Sequence, residues 1–375
     1  MACAITLQKE GRTNLVIEKR AFPRPKTCGG MVTEKTRAQL AELLSGLPES
    51  ERQDEIFCAE CRTLALWDGG KRLTRSEIEK PLRFVRRETF DAFLAEAYVH
   101  AGGELLEGRR AERLDAGERT LTLDSGESVR YRHLVAADGA MSETRAALGG
   151  RAPLLGFCVE AWIPADRFPL DEVRIDFGPA PTGYAWQFPS GDAVCVGLGG
   201  VYASEERYDG MLKEYLRTLG LDPDEFTLRG AFLPYGSTVD PRELPYGVLP
   251  VGDAGGFVDP VTGEGLYFAL TTGMAAAGAI LDGGNVTRSY ARRTARLARL
   301  VRQGALVRRY LYRSGARERF KRRIEGKNGF VGFYCDRQVS EYGKPYARLA
   351  ELIPEYRKRK NNIMSTNGED ACETV

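Results

Sequence analysis

The stretch "GVLPVGDAGGFVDPVTGEGLYFALTTG" (residues 247–273) gathers an unusual number of special backbone residues in one place. A short apolar strand, Leu249–Val251, stops at Gly252-Asp253, where a carboxylate at a strand end can accept hydrogen bonds from hydroxyl groups of a bound molecule. Gly255 and Gly256 carry no Cβ and allow close approach to the backbone. Gly263-Glu264-Gly265 then opens a long helix of small residues, Gly265–Leu281. The N–H groups and positive dipole end of such a helix suit negative charge on a ligand.

Working outward, "LVAADGAMSETR" (134–145) repeats the theme. A buried strand, Leu134–Ala137, meets Asp138-Gly139, and Ser142 and Arg145 lead into a helix. Glycine permits the tight turn, and the helix N-terminus with Arg145 suits a pyrophosphate. "RRETFDAFL" (86–94) puts Arg87 at the start of a helix over Thr89–Ala101, which Gly102-Gly103 ends. At the N-terminus, residues 4–10 read as a helix stopped by Gly11, Asn14–Ile17 as a strand, and Glu18 as the acid that closes it. In a dinucleotide-binding unit such an acid takes ribose hydroxyls, about 20 residues beyond a glycine-rich phosphate loop. Here the chain begins seventeen residues before Glu18. If Ala4 is the small residue that follows the third glycine of that loop, strand 1 and the G-x-G-x-x-G are expected to precede Met1. Gly197-Leu198-Gly199-Gly200 lacks the spacing to replace them.

Thr33–Leu47 reads as an amphipathic helix, and Phe57–Trp67 with Lys71–Leu73 as a hairpin around Asp68-Gly69-Gly70. Short strands follow at 104–106, 110–114, 120–123 and 128–132. From about Gly156 to Leu233, aromatic-rich strands broken by a helix over Tyr208–Leu219 predict an antiparallel sheet inserted between two parts of a parallel one. The expected fold class is therefore α/β, of the α+β kind. Its parts are a Rossmann-like domain over 1–152 and 246–285 that lacks strand 1, an inserted antiparallel-sheet substrate domain over 153–245, and a C-terminal helical region over 286–375 with a disordered tail.

The 375 residues suffice for a large core. With 54 Lys and Arg against 52 Asp and Glu, the net charge of +2 is too balanced to argue for nucleic acid. There is no run of about 18 apolar residues for a membrane span, and no basic and apolar leader. Eight scattered cysteines read as free thiols in a reducing, cytoplasmic setting. Cys58 and Cys61 form one close pair, but with no second ligand pair, and with only His100 and His133 as histidines, no metal is expected.

Three segments carry a family resemblance. "RPKTCGG" (24–30) is similar to the K-x-C-G-G segment of the geranylgeranyl reductase family, within the flavin monooxygenase-like FAD fold. "PTGYAWQFPSGDAVCVGLGG" (181–200) resembles its Y-x-W-x-F-P signature, and "GDAGGFVDPVTGEG" (252–265) its second FAD motif. The resemblance runs in order over about residues 2–285.

It implies bound FAD, whose reduced form saturates carbon–carbon double bonds of an isoprenoid or other lipid. It also implies a catalytic Cys28 near the flavin N5 and the reacting bond, with Lys26 close enough to tune the thiol. Cofactor contacts fall to Glu18, Lys19, Cys28, Gly29, Gly30, Arg87, Asp138, Gly139, Arg145, Gly252, Asp253, Gly255, Gly256, Gly263 and Gly265. Tyr184, Trp186 and Phe188 would line an apolar slot for the substrate, although alternating aromatics also make plain core. NADPH and ferredoxin are both open as electron donor. A monooxygenase or halogenase on the same scaffold is the second reading, and a catalytically silent chain without its phosphate loop the third. The basic, amphipathic segment 288–323 leaves two possibilities open. One is peripheral contact with a membrane surface, and the other is packed helices with a solvated basic face.

Overall fold

The computed structural model describes residues 1–202, 204–312 and 315–327. The 330–346 segment, expected over a substrate cavity, and the tail, expected to be disordered, lie outside the described residues.

Four parallel strands form two pairs, Leu15–Glu18 with Glu104–Glu107 and Leu134–Ala136 with Val248–Pro250. The acids singled out above, Glu18, Asp138 and Asp253, stand at or just beyond the carboxyl ends of three of these strands. Helices Ala2–Lys9, Glu34–Leu44, Arg87–His100 and Leu266–Asp282 pack beside them. The last has Gly273, Ala276 and Ala277 on buried positions, so the Ala2–Lys9 helix crosses it closely. A Cβ on Gly273 would come within 2.9 Å of the Ala2 Cβ.

The second layer is an eight-stranded sheet. Its order is Arg229–Pro234, Leu155–Pro164, Ala193–Val201, Tyr184–Ser190, Val173–Asp176, Phe57–Asp68, Lys71–Val85 and Met31–Val32. It is antiparallel except where Val173–Asp176 runs parallel to Phe57–Asp68. The sheet is wider than the 153–245 segment expected to build it, because three of its strands come from residues 31–85. The second arm of the hairpin reaches Val85, where the sequence pattern extended only to Leu73. Its inward positions include buried Thr74 and Ser76 beside Leu73, Ile78 and Leu82, and these hydroxyls interrupt the apolar alternation.

The Leu155–Pro164 strand divides its side chains between two faces. Phe157, Val159, Ala161 and Ile163 pack with Tyr208, Leu212 and Leu216 of the Glu205–Thr218 helix. Cys158 and Trp162 pack on the other face, with Trp186, Phe188 and Cys195. The Val286–Leu311 helix buries Tyr290, Leu297 and Val301 in the core and leaves Arg292, Arg296 and Arg299 exposed. The reading of a packed helix with a basic outer face therefore matches its position. Arg308 on this helix donates to the carbonyls of Pro260 and Thr182, tying two loops together.

Candidate functional site

The glycine loop after Val248–Pro250 is shaped by its own residues. Gly256 adopts φ +75°, and a Cβ there would sit 2.2 Å from the Ser237 carbonyl oxygen, so only glycine fits. Asp259 is buried and its Oδ1 accepts the N–H groups of Val261 and Thr262 at 2.8 and 3.1 Å, which folds the following turn. Glu264 accepts the hydroxyls of Thr33 and Thr36, each at 2.9 Å, and pairs with Lys35. The loop is thereby fastened to the first turn of the Glu34–Leu44 helix.

The Leu266–Asp282 helix begins here with no side-chain cap and no acid in its first turn. Asp253 faces its start, with Oδ1 3.4 Å from the place a Cβ on Gly265 would take. Among the described residues nothing donates a hydrogen bond to the Asp253 carboxylate. Burial raises its pKa above the ordinary value, while Lys26 and Arg87 pull it down. A desolvated carboxylate without a protein partner, beside an uncapped helix N-terminus, matches a ligand that brings hydroxyls and negative charge. The ribitol and the isoalloxazine edge of FAD are of that kind.

The Cys28-Gly29-Gly30 segment lies on the aromatic face of the large sheet. A Cβ on Gly29 would sit 2.8 Å from Phe188 Cδ2 and 3.3 Å from Trp186 Nε1. Trp186 and Phe188 stack at 6.1 Å and are only 8 and 7 % exposed, so they form a floor under the segment more than an open slot. Tyr184 is half-buried and donates its hydroxyl to the Thr262 carbonyl, linking the floor to the glycine loop. Cys28 is half-buried, and its sulfur accepts the Gly30 N–H at 3.4 Å.

A chain of charges joins this segment to the first strand pair. Arg87 donates Nε and Nη2 to the two oxygens of Asp91, both at 2.9 Å. Arg24 bridges Asp91 at 3.1 Å and Glu18 at 2.9 Å. Burial pulls the Arg87 guanidinium down, and its interactions with Asp91 and Cys28 more than offset this, so it stays firmly protonated. Glu18, Arg87, Cys28 and Asp253 thus belong to one connected region.

The Asp138 turn contributes differently from the expectation. Asp138 accepts the Ser142 hydroxyl at 2.5 Å and the Thr144 N–H at 2.9 Å, capping the short Glu143–Ala147 helix. Gly139 makes the turn at φ +86°. Arg145, expected to face a pyrophosphate, is 4 % exposed and donates to the Ala254 and Ala140 carbonyls, each at 2.9 Å. It secures the glycine loop from behind, and its Nη groups are committed to backbone. Lys19 is exposed, and its field reaches the Glu143 carboxyl, which is held down mainly by Arg110.

One residue of the region escaped the sequence reading. Glu160, in the middle of an otherwise apolar strand, is 1 % exposed, and its Oε1 accepts the Cys28 N–H at 3.1 Å. A lone acid within an apolar run was the available signal. Cys58 and Cys61 are separate free thiols, donating to the Phe84 and Thr63 carbonyls. Glu49, Glu96 and His100 cluster among the described residues. They are engaged as a Glu49–His100 pair at 2.6 Å and an Arg52–Glu96 pair at 3.1 Å.

No family model matches the chain. Individual proteins do. Menaquinone reductase of Mycobacterium tuberculosis is 30% identical over 322 residues, covering 76% of this chain and 75% of the relative. Digeranylgeranylglycerophospholipid reductase 1 of Methanopyrus kandleri is 33% identical over 286 residues, covering 69% of this chain and 71% of the relative. The chain belongs to the geranylgeranyl reductase family of FAD-dependent oxidoreductases. Its fold agrees with that of a geranylgeranyl bacteriochlorophyll reductase-like protein of Thermoplasma acidophilum, at a TM-score of 0.75 and 20% identity over 96% of this chain and 95% of the other. A flavin-dependent brominase shares the fold at a TM-score of 0.69, with 20% identity over 95% and 96% of the two chains. As a geranylgeranyl reductase-family member, the chain is a flavin oxidoreductase. Among the described residues no helix is long and apolar enough to cross a membrane.

Proposed function

We propose that this flavin oxidoreductase saturates carbon–carbon double bonds in an isoprenoid or other lipid substrate. The observation that supports this best is the seating of Cys28-Gly29-Gly30 on Trp186 and Phe188, with Arg87 acting on both Cys28 and the Asp253 carboxylate at the uncapped helix start. An isolated alkene is apolar and unpolarised, so its reduction calls for a dry surface and one placed acid. The aromatic floor offers the first and the Cys28 thiol the second. Tyr184, Trp186 and Phe188 form the apolar wall in this reading, with Tyr184 the most accessible of the three. The names of relatives that act as reductases of geranylgeranyl lipids point the same way.

FAD, when bound, supplies the hydride. Asp253 is the proposed acceptor for ribitol hydroxyls, and Gly263-Glu264-Gly265 presents the helix N–H groups to the negatively charged edge of the reduced ring. Glu18 remains the proposed ribose ligand, in competition with its ion pair to Arg24. Arg87 holds its place through Asp91 and faces the Cys28 sulfur. NADPH and ferredoxin both remain candidates as donor.

The test is co-expression with a polyprenyl lipid source, followed by mass spectrometry of extracted lipids. Wild-type protein is expected to add two mass units for each bond reduced. Cys28→Ala should keep its flavin colour and lose about a hundredfold or more of the reduction rate. Undiminished turnover in Cys28→Ala would remove Cys28 from the chemistry. Oxygen-dependent modification of a substrate without double-bond loss would favour the monooxygenase or halogenase reading.

A further inference from the structure

Each saturated bond takes up one hydride from reduced FAD and one proton. If the Cys28 S–H gives that proton to the alkene carbon, the sulfur is left as a thiolate and must be reloaded before the next bond. Cys28 is half-buried with Arg87 facing its sulfur, and the group behind it decides how reloading happens.

We propose that Glu160 is the proton store behind Cys28, and that its carboxyl group returns a proton to the Cys28 sulfur after each bond is reduced. This deepens the reading given under "Proposed function" and rests on it. In the reloading step the Glu160 O–H bond breaks and a Cys28 S–H bond forms. Glu160 is left as a carboxylate, which then recovers a proton from solvent. No further oxidant or reductant enters.

Geometry carries the assignment. Glu160 lies on the same face of its strand as Cys158 and Trp162, the face that the Cys28 segment covers. Its Oε1 accepts N–H groups from Cys28 at 3.1 Å and from Trp162 Nε1 at 3.3 Å. Its Oε2 lies 3.7 Å from Cys195 Sγ, which in turn accepts Trp186 Nε1 at 3.5 Å. The carboxyl group is therefore in contact with the floor and with the backbone of the proposed acid. At 1 % exposure it makes no ion pair among the described residues. Arg229 is its register partner on the neighbouring strand, but its side chain is exposed.

Burial of a carboxyl without a cation penalises its charged form. Burial raises the Glu160 pKa above its ordinary 4.5, and the hydrogen bonds from Cys28, Trp162 and Cys195, with the field of Arg229, only reduce the effect. The groups facing it are thus Cys28 from the loop, Cys158 and Trp162 from its own strand, Cys195 from one neighbouring strand and Arg229 from the other. A structural anchor for the loop would need only the two acceptor contacts on Oε1, which an amide oxygen can also make. A proton store needs the acid.

Glu160→Gln separates the two roles, because it keeps both acceptor contacts and removes the proton. In flavin-loaded Glu160→Gln, kept reduced by excess dithionite and mixed with a polyprenyl substrate, the first bond should be reduced at the wild-type rate. Later bonds should then slow by about a hundredfold. The pH profile of that steady state should lose the limb that belongs to the carboxyl group. A second measurement does not depend on turnover. Infrared spectra of wild-type protein carrying carbon-13 glutamate should show one neutral carboxyl band at neutral pH, which Glu160→Gln lacks. Absence of that band, or steady-state reduction by Glu160→Gln equal to wild type at every pH, would overturn the assignment. A wild-type enzyme that reduces no double bond overturns the proposed function itself, and the inference falls with it. That case is recognised because the unmutated protein is already inactive.

Discussion

Gly29 sets the clearance at the centre of the site. Its missing Cβ is what lets the backbone lie on the Phe188 and Trp186 rings, and an added methyl would meet Phe188 Cδ2 at 2.8 Å. Phe188 is 7 % exposed and backed by Phe84 at 5.6 Å, so the ring has little room to retreat. Gly29→Ala is therefore expected to lift the Cys28 segment off its floor. Overpacking of this kind costs about 1–3 kcal/mol. Thermal melting followed by flavin fluorescence should show an earlier release of the cofactor. A melting point and double-bond reduction equal to wild type would mean that the segment does not need this close seat. Cys28, Gly29 and Gly30 were singled out through the family resemblance of their segment, and their roles in the site are proposals. Glu160 was not singled out, since nothing in a linear chain says that residue 160 lies under residue 28.

The glycine loop and the helix it opens were the most readable elements, because their glycines and acids follow one another without interruption. The clamp on that loop was not readable. Glu264 reaches 228 or more positions back along the chain to Thr33, Lys35 and Thr36, and only the folded chain brings the two together. The hairpin arm Lys71–Val85 was under-read for a different reason, since Thr74 and Ser76 occupy inward positions where the pattern calls for apolar side chains. The Glu264 clamp makes an element-level prediction. Its partner Lys35 has a side chain 8 % exposed and Glu264 itself is at 11 %, so removing the acid takes the paired carboxylate away from a buried ammonium. Breaking a buried pair from one side costs about 3–5 kcal/mol. Glu264→Ala should lose that much in denaturant unfolding and bind flavin more weakly, because the helix start is no longer held against the Glu34–Leu44 helix. Glu264→Gln, which still accepts the two threonine hydroxyls, should lose less. Equal stability of the two variants would show that the charge on Glu264 is irrelevant to the clamp.

At the scale of the whole molecule, two acids of the site link folding to pH. Glu160 and Asp253 both have folded-state pKa values raised by burial. A carboxyl group raised in this way binds more protons folded than unfolded in the interval between the two values. Its contribution to stability is complete below the ordinary carboxylate pKa and is lost as pH rises through the folded value. The slope while Glu160 titrates is at most about 1.4 kcal/mol for each pH unit. Glu160→Gln keeps the shape and the acceptor contacts but cannot titrate, so it isolates this part of the curve. Unfolding free energies of the flavin-loaded wild type and variant, measured across pH, should converge or cross. The wild type should be favoured at low pH and lose ground steadily as pH rises above about 4.5, the ordinary value for the group. Asp253 titrates identically in both proteins and cancels in the difference. A difference that stays flat across pH would place an ionised Glu160 in the folded protein. The dry floor beneath Cys28 would then have to be far wetter than the packing of Trp186, Phe188 and Cys195 allows.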